Sequence, residues 1–162
     1  MAKLDLLETI SEKTIILDHE PFADKEELFR FLAGRLREDG RILSEDAFIE
    51  ALHQREDTGS TYMGEEIALP HGKSSTVQKN SICFCRLTAP MVYHSHDEEG
   101  PVRLIFLLGV QGGTEGKEYL RILADLSGLL VHEEFVGALE KAASYEEVLK
   151  TFEKFLDGKT PD

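Results

Sequence analysis

The feature that most constrains the fold is a nearly continuous apolar run, residues 102–110. It reads Val-Arg-Leu-Ile-Phe-Leu-Leu-Gly-Val, so in a strand its apolar side chains would point to both faces. Such a strand is stable only where both faces are covered, as at the centre of an α/β sheet. The run therefore predicts a central strand with further layers packed against it.

Helical and strand-like patterns alternate along the rest of the chain. Leucines recur at helical spacing after Asp24, which forms a capping-box pattern with Glu27. Ser44 is expected to cap a second helix, and Ser144 with Glu147 forms the capping box of the last one. The predicted helices span residues 24–40, 44–57, 115–131, 132–142 and 144–156, the predicted strands span 14–17, 81–87 and 102–110, and 91–101 is expected to be a polar loop. Because helices and strands interleave, we predict an α/β fold with a mixed β-sheet flanked by helices.

The length favours one domain. A chain of 162 residues can bury a sizeable core, and no repeat, low-complexity segment or linker divides it. We therefore predict a single domain over residues 1–162, in which the polar tail 157–162 is expected to fray.

The net charge restricts the class of partner. At −13 it argues against binding to nucleic acid or to an anionic membrane surface, since both need clustered Lys and Arg. An acidic surface that keeps the protein in solution is the simplest explanation, and a basic protein partner is compatible with it. Since the chain has no run of about 18 apolar residues and no signal peptide, we expect a cytoplasmic protein without direct membrane insertion.

Cysteine and histidine spacing gives little support for a metal site. Cys83 and Cys85 are expected to be apolar strand residues that point to opposite faces, without a disulfide, and no second pair at zinc-site spacing accompanies them. His94 and His96, followed by Asp97, resemble a partial ligand set, but no remote ligands complete it. A solvated loop is the simpler interpretation of these histidines, and no metal is predicted.

Residues 55–73 carry the strongest functional signal. The segment reads Arg-Glu-Asp-Thr-Gly-Ser-Thr-Tyr-Met-Gly-Glu-Glu-Ile-Ala-Leu-Pro-His-Gly-Lys. A short apolar run leads into His71, which lies between Pro70 and Gly72. Proline favours an extended residue before it, and glycine permits a turn or a close approach. We therefore expect a strand to deliver the imidazole of His71 to an open edge, as a nucleophile or a ligand.

The segment resembles a known family signature. Arg55-Glu56-Asp57-Thr58-Gly59-Ser60-Thr61, followed by Ile67-Ala68-Leu69-Pro70-His71-Gly72, is similar to the signature of enzyme IIA of the fructose/mannitol/nitrogen-regulatory type (EIIA type 2). These proteins belong to the bacterial phosphoenolpyruvate-dependent sugar phosphotransferase system. The resemblance covers approximately residues 4–155, and the linked pattern is far more specific than Pro-His-Gly alone.

The resemblance implies a function and two principal residues. Family members accept a phosphoryl group from the phosphocarrier HPr on one histidine and pass it to enzyme IIB, which works with the membrane component IIC. The corresponding acceptor here is His71, and the family's active-site arginine corresponds to Arg55. Taken alone, Arg55 would be read as a cation that satisfies the C-terminus of a helix. Phosphoryl transfer from histidine requires no metal or other cofactor.

Further groups are expected to support the phosphate. Hydroxyl and backbone N–H groups in the loop and after the histidine are suitable donors to phosphoryl oxygens. These supporting positions are Thr58, Gly59, Ser60, Thr61, Gly72, Lys73 and Ser74. Lys73 is equally consistent with a solvated side chain. Tyr119 stands where the family often has a second histidine, and either a hydrogen bond to the phosphoryl group or simple packing is compatible with it.

Three functions are compatible with this pattern. The first is a transport phosphotransferase, in which His71 receives phosphate from HPr and donates it to enzyme IIB. The second is a regulatory protein of the nitrogen-related branch, whose phosphorylation state controls another protein. The third is a metal-dependent hydrolase built on His71, His94 and His96, which the sequence favours least.

Overall fold

The computed structural model describes residues 6–113 and 117–159, and it leaves the side chains of 117–119 and 157–159 undescribed. Contacts within the chain define two compact units, Lys13–Gly113 and a second unit that contains the C-terminal helices. The prediction of a single domain stays a prediction. The candidate site belongs to the first unit, so that unit is treated in more detail.

The first unit is built on a mixed six-stranded sheet. Its strands are β1 Ile15–His19, β2 Tyr62–Gly64, β3 Ile67–Ala68, β4 His71–Ser74, β5 Ser81–Ser95 and β6 Glu98–Gln111. The strand order is β1-β5-β6-β3-β2, and β4 also pairs with β6. The β5–β6 and β2–β3 pairs are antiparallel, whereas β1–β5, β3–β6 and β4–β6 are parallel.

Strand β6 is the centre of this sheet, as residues 102–110 predict. It pairs with β5 along one side, and on the other side with β3 at Leu104 and Ile105 and with β4 from Leu108 onward. Successive residues such as Phe106 and Leu107 are both fully buried, so neither face of the strand is solvated. The nearly continuous apolar run is the direct consequence of this double burial.

Two helices precede the signature segment, and both begin at the predicted caps. Helix α1, Lys25–Glu38, starts after Asp24, whose side chain accepts a hydrogen bond from the N–H of Glu27. Helix α2, Glu45–Glu56, starts after Ser44, which caps it in the same way. Leucines and phenylalanines of both helices join one core cluster with side chains of β5 and β6. Helix α2 ends at the first residues of the signature.

The prediction of a polar loop over residues 91–101 is wrong. The segment is the distal part of the β5–β6 hairpin, in which Met91, Tyr93 and Ser95 are buried and the residues between them are exposed. This alternation is the period of a strand with one covered face. A two-residue turn closes the hairpin, and His96 within it has a φ of 55°. Polar side chains on the exposed face make the segment resemble a polar loop, so its strand pattern was not recognised from the sequence.

The chain between β3 and β4 brings His71 to the sheet. Pro70 has no N–H to donate, so the strand is interrupted there, and its carbonyl accepts the N–H of Leu108. Strand β4 then resumes parallel pairing with β6, with His71 opposite Leu108. His71 therefore lies in β4, for which β6 is the one pairing partner in the described sheet, and the residue itself is buried.

Cys83 and Cys85 are apolar strand residues, but they do not point to opposite faces. Residues two apart in a strand share a face, and both side chains join the core cluster under α1 and α2. Both remain free thiols. Burial raises the pKa of the Cys85 thiol to about 12, so it is unreactive at neutral pH.

Over the described residues 117–159, the second unit has three helices, α3 Lys117–Leu130, α4 Glu133–Lys141 and α5 Tyr145–Lys159. Ser144 caps α5 by accepting the N–H of Glu147, as predicted, and the Glu147 carboxylate accepts the N–H of Ala143. The backbone is helical as far as Lys159. The last helix is therefore longer than predicted and includes residues that were expected to belong to the polar tail. Within the described part of the chain, no helix combines the length and the apolar character needed to cross a membrane.

Candidate functional site

His71 is the centre of the site, and its two ring nitrogens have different partners. The Nδ1 atom lies 3.2 Å from the carbonyl oxygen of Leu69, and the Nε2 atom lies 3.0 Å from Nε of Arg55. A carbonyl only accepts and a guanidinium only donates. Both contacts therefore require the same tautomer, with the proton on Nδ1 and a lone pair on Nε2.

The environment of His71 favours the neutral ring. Its side chain is only 8% exposed. Burial lowers the pKa of His71, the hydrogen bond to Leu69 raises it, the charge of Arg55 lowers it, and the charge of Glu56 raises it. Burial is the largest of these effects, so the net shift is downward from the ordinary 6.5. A neutral imidazole with a free pair on Nε2 is a nucleophile.

Arg55 is held in place by the end of its own helix and the following loop. Its Nη1 atom donates to the carbonyl of Gly59 at 2.9 Å and to the hydroxyl of Thr58 at 3.3 Å. The Thr58 hydroxyl in turn donates to the Arg55 carbonyl. Among the residues that the structure describes, none accepts a hydrogen bond from Nη2. The guanidinium thus lies beside the nucleophilic nitrogen with donors available for an anion.

Gly72 explains why α2 lies so near the histidine. A Cβ atom at this position would lie 3.1 Å from the backbone nitrogen of Leu52 and 3.3 Å from the side chains of Ala51 and Phe48. The missing side chain therefore permits close approach of α2 to β4. Since Arg55 is at the end of α2, this approach determines its distance from His71.

We expect Gly72→Ala to lower the free energy of unfolding by about 1–2 kcal/mol. Crowding of the added methyl group costs about 1–3 kcal/mol, and the lower conformational entropy of the unfolded chain offsets less than about 1 kcal/mol of this cost. Gly137→Ala is the matched control, because a Cβ there meets nothing within 4 Å. In the interior of α4 the control should be neutral or stabilising by up to about 1 kcal/mol. Urea unfolding of both variants measures the difference, and equal stabilities would contradict a close-packed contact at Gly72.

The predicted supporting residues fall into different positions. Thr58 and Gly59 contact Arg55, as described, and the Ser60 hydroxyl accepts the N–H of Tyr62. Thr61 is buried, and its hydroxyl donates to the Glu56 carboxylate. Ser74, at the far end of β4, accepts the N–H of Thr76 in a turn, and Lys73 is exposed. Their roles toward phosphate stay predictions.

The sequence analysis missed a buried polar cluster below the site. Glu56 is only 4% exposed and accepts hydrogen bonds from Lys25, Thr61 and Ser95. Tyr93 completes the cluster through the Thr61 hydroxyl. One signal was available: an acidic residue in the last turn of a helix opposes the helix dipole, so it indicates another source of stabilisation.

Other expected participants have mixed outcomes. Of two apolar residues in the signature segment, Ile67 is buried in the core, whereas Met63 is 47% exposed. The side chain of Tyr119 lies outside the described residues. Across 6–113 and 117–159, no three His, Cys, Asp or Glu side chains gather where they could hold a metal ion. The hydrolase hypothesis needs such a group, and His96 instead contacts Asp97.

Comparison with known proteins identifies the family of the chain. Residues 8–155 match the family described as the phosphoenolpyruvate-dependent sugar phosphotransferase system, EIIA 2. The fructose-specific EIIA component of Haloferax volcanii is 32% identical over 88% of this chain and 91% of its own length. The 2-O-α-mannosyl-D-glycerate-specific EIIABC component of Escherichia coli is 27% identical over 91% of this chain, which spans only 22% of that longer protein.

Solved structures are similar over nearly the whole chain. The nitrogen regulatory protein IIA-Ntr of Neisseria meningitidis has a TM-score of 0.78 and 31% identity, covering 91% of this chain and 98% of that one. IIA mannitol of Escherichia coli has a TM-score of 0.70 and 26% identity, covering 88% and 98%. The predicted α/β class with a mixed sheet and flanking helices is confirmed, as is the resemblance carried by the signature. The chain belongs to the EIIA type 2 family of the phosphoenolpyruvate-dependent sugar phosphotransferase system.

Proposed function

We propose that Nε2 of His71 accepts the phosphoryl group from phospho-HPr and donates it to an enzyme IIB protein for sugar uptake. The observation that supports this assignment is the pair of hydrogen bonds on the ring. The Leu69 carbonyl holds the proton on Nδ1, and the resulting lone pair on Nε2 faces the Arg55 guanidinium. A nucleophile and an oxygen-binding cation are thus adjacent.

The proposed reaction is a direct in-line exchange. The lone pair of Nε2 forms a bond to phosphorus while the phosphorus–nitrogen bond of phospho-HPr breaks, and the donor nitrogen keeps that electron pair. No proton leaves His71, because Nδ1 already carries one that the Leu69 carbonyl holds. The reaction therefore depends on alignment and on stabilised phosphoryl oxygens, which are the usual requirements of phosphoryl transfer.

Arg55 changes partner during this step. Before transfer, its Nε–H group donates to the lone pair of His71 and shields it from protonation. As phosphorus approaches, that lone pair is consumed and the guanidinium is released to donate to the phosphoryl oxygens. Charge-assisted bonds of this kind are about twice as strong as neutral ones. The same guanidinium group then stabilises the phosphohistidine until the phosphoryl group is transferred to the acceptor.

We expect the reactive form of His71 to persist below the ordinary titration range. Because its pKa is lowered from 6.5, the ring stays mainly neutral at pH 6.5, where an unperturbed imidazole is half protonated. A ¹⁵N NMR titration of the ring nitrogens should show protonated Nδ1, unprotonated Nε2 and a midpoint below pH 6.5. A midpoint above 6.5, or a protonated Nε2, contradicts the assignment.

The partners proposed are HPr on the donor side and enzyme IIB, with its membrane component IIC, on the acceptor side. One similar solved structure is the complex of IIA mannitol with phosphorylated IIB mannitol from Escherichia coli. The charge of −13 favours partners with a basic contact face. Met63, exposed in β2, offers an apolar contact that excludes water from the transferring group. We place the protein in the cytoplasm with these partners.

A regulatory role is the second candidate, and the similarity to IIA-Ntr favours it. Incubation with phosphoenolpyruvate, enzyme I and HPr, followed by candidate IIB proteins, separates the two. Onward transfer to a IIB protein supports transport. A stable phosphoprotein that no IIB protein discharges supports regulation. A chain that remains unphosphorylated with HPr present, in a mixture that phosphorylates a known EIIA, overturns the phosphoryl-carrier proposal.

A further inference from the structure

We propose that Glu56 is a positioning residue, whose buried carboxylate holds Thr61 and Leu69 and through them keeps the His71 ring in its nucleophilic tautomer. The proposal rests on the proposed function, because it concerns the same histidine. Glu56 is next to Arg55 in the chain, but its side chain enters the interior. No other feature of the signature explains why a carboxylate is buried there.

The carboxylate is fully engaged. Oε1 accepts from Nζ of Lys25 at 2.8 Å and from the Ser95 hydroxyl at 2.6 Å. Oε2 accepts from the Thr61 hydroxyl. Removal of an ion pair from water carries a desolvation cost, and such pairs are weak contributors to stability. A cluster that joins α1, α2, the signature loop and β5 at this cost is better explained by a need for fixed geometry.

A continuous series of hydrogen bonds connects this cluster to the histidine. The Thr61 hydroxyl is fixed by Glu56, and its N–H donates to the Ser95 hydroxyl at 2.8 Å. The carbonyl of Thr61 accepts the N–H of Leu69 at 2.9 Å. The carbonyl of Leu69 accepts Nδ1–H of His71. Displacement of Thr61 would therefore move the group that determines the tautomer.

The charge of Glu56 acts in the same direction. When Nε2 bonds to phosphorus while Nδ1 keeps its proton, the ring becomes more positive. A buried negative charge stabilises that ring, and it already raises the pKa of His71 against the effects of burial and Arg55. The Lys25 ammonium group pairs with the Glu56 carboxylate from the α1 side, and it weakens the effect of the negative charge on His71 without removing it. Geometry and charge both assign Glu56 to support of the nucleophile.

The test uses the Glu56→Gln, Thr61→Val and Thr61→Ser variants. Thr61→Val keeps the shape and removes the hydroxyl, whereas Thr61→Ser keeps the hydroxyl. For Glu56→Gln and Thr61→Val we expect a larger Nε2-protonated fraction and a lower pKa of His71 by ¹⁵N NMR, and a rate constant for phosphorylation by phospho-HPr reduced at least about tenfold. Thr61→Ser should restore values close to wild type.

A control separates positioning from loss of stability. Ile49→Val, in the core face of α2, destabilises the same helix and removes none of the hydrogen bonds of the Glu56 cluster. It should leave the tautomer, the pKa and the rate unchanged. The proposal is overturned if Glu56→Gln and Thr61→Val match wild type, if Thr61→Ser fails to restore function, or if Ile49→Val reproduces their effects. If Glu56→Gln does not fold, the comparison of Thr61→Val with Thr61→Ser decides whether the positioning proposal holds.

The NMR readouts need no phosphorylation. If wild-type protein is not phosphorylated by HPr, the proposed function fails, and the tautomer and pKa comparisons still decide the role of Glu56. If wild type is phosphorylated and the variants behave as wild type, only the positioning proposal fails.

Discussion

Replacement of His71 by glutamine is expected to abolish phosphorylation by phospho-HPr. The amide has no nitrogen lone pair that can attack phosphorus, so the covalent intermediate cannot form at this position. No described neighbour replaces it, since the Arg55 guanidinium only donates hydrogen bonds and offers no lone pair to phosphorus. Intact mass spectrometry after incubation with phosphoenolpyruvate, enzyme I and HPr should show one added phosphoryl group on wild type and none on the variant.

His94→Gln is the matched control for this prediction. His94 is an exposed residue of the β5–β6 hairpin and has no place in the site. We expect this variant to be phosphorylated as wild type is. A phosphorylated His71→Gln protein would show that another residue is the acceptor, and the tautomer argument would then lose its functional meaning.

Arg55→Gln is expected to slow phosphoryl transfer by about 10²- to 10³-fold, the usual cost of removing one preorganised donor to developing charge. The variant loses the cation beside Nε2 and the contacts that Nη1 makes with Gly59 and Thr58. Burial still lowers the pKa of His71, so the ring remains neutral at pH 7 and the acceptor is not lost. Rapid-quench measurement of transfer from phospho-HPr gives the rate constant.

Two further variants define the cause of this loss. Arg37→Gln removes an exposed arginine that pairs with Glu45 at the surface, and it should leave the rate unchanged. Arg55→Lys restores the charge but not the fork, so an intermediate rate is expected. If Arg55→Gln transfers phosphate as fast as wild type, the arginine is a helix-terminal cation and not a phosphoryl ligand.

Local signals predicted those parts of the fold that depend on neighbours in the chain. Asp24, Ser44 and Ser144 all accept the predicted capping hydrogen bonds, because a cap is completed within three residues. The hairpin over residues 91–101 was missed. Its strand character depends on pairing with a partner strand and on burial of one face, and both are properties of the folded sheet.

The site shows the same division between local and distant information. His71 and Arg55 were predicted from the linked signature, and the structure joins them by a hydrogen bond. The contributions of Glu56 and Ser95 were not predicted, because Ser95 is 39 residues from Glu56 in the chain. Thr61 was expected to face phosphate, and its hydroxyl instead lies in that buried cluster.

The sequence by itself determined the family, the helix caps and the central strand, and it predicted the reactive histidine, since each depends on a local pattern or a linked motif. Only the tertiary structure decided which nitrogen of His71 carries the proton, how closely α2 approaches β4 at Gly72, and where the Glu56 carboxylate lies. These properties result from contacts among segments that are distant in the chain. Burial and hydrogen bonding across such contacts determine the tautomer and the pKa, and no local pattern encodes them.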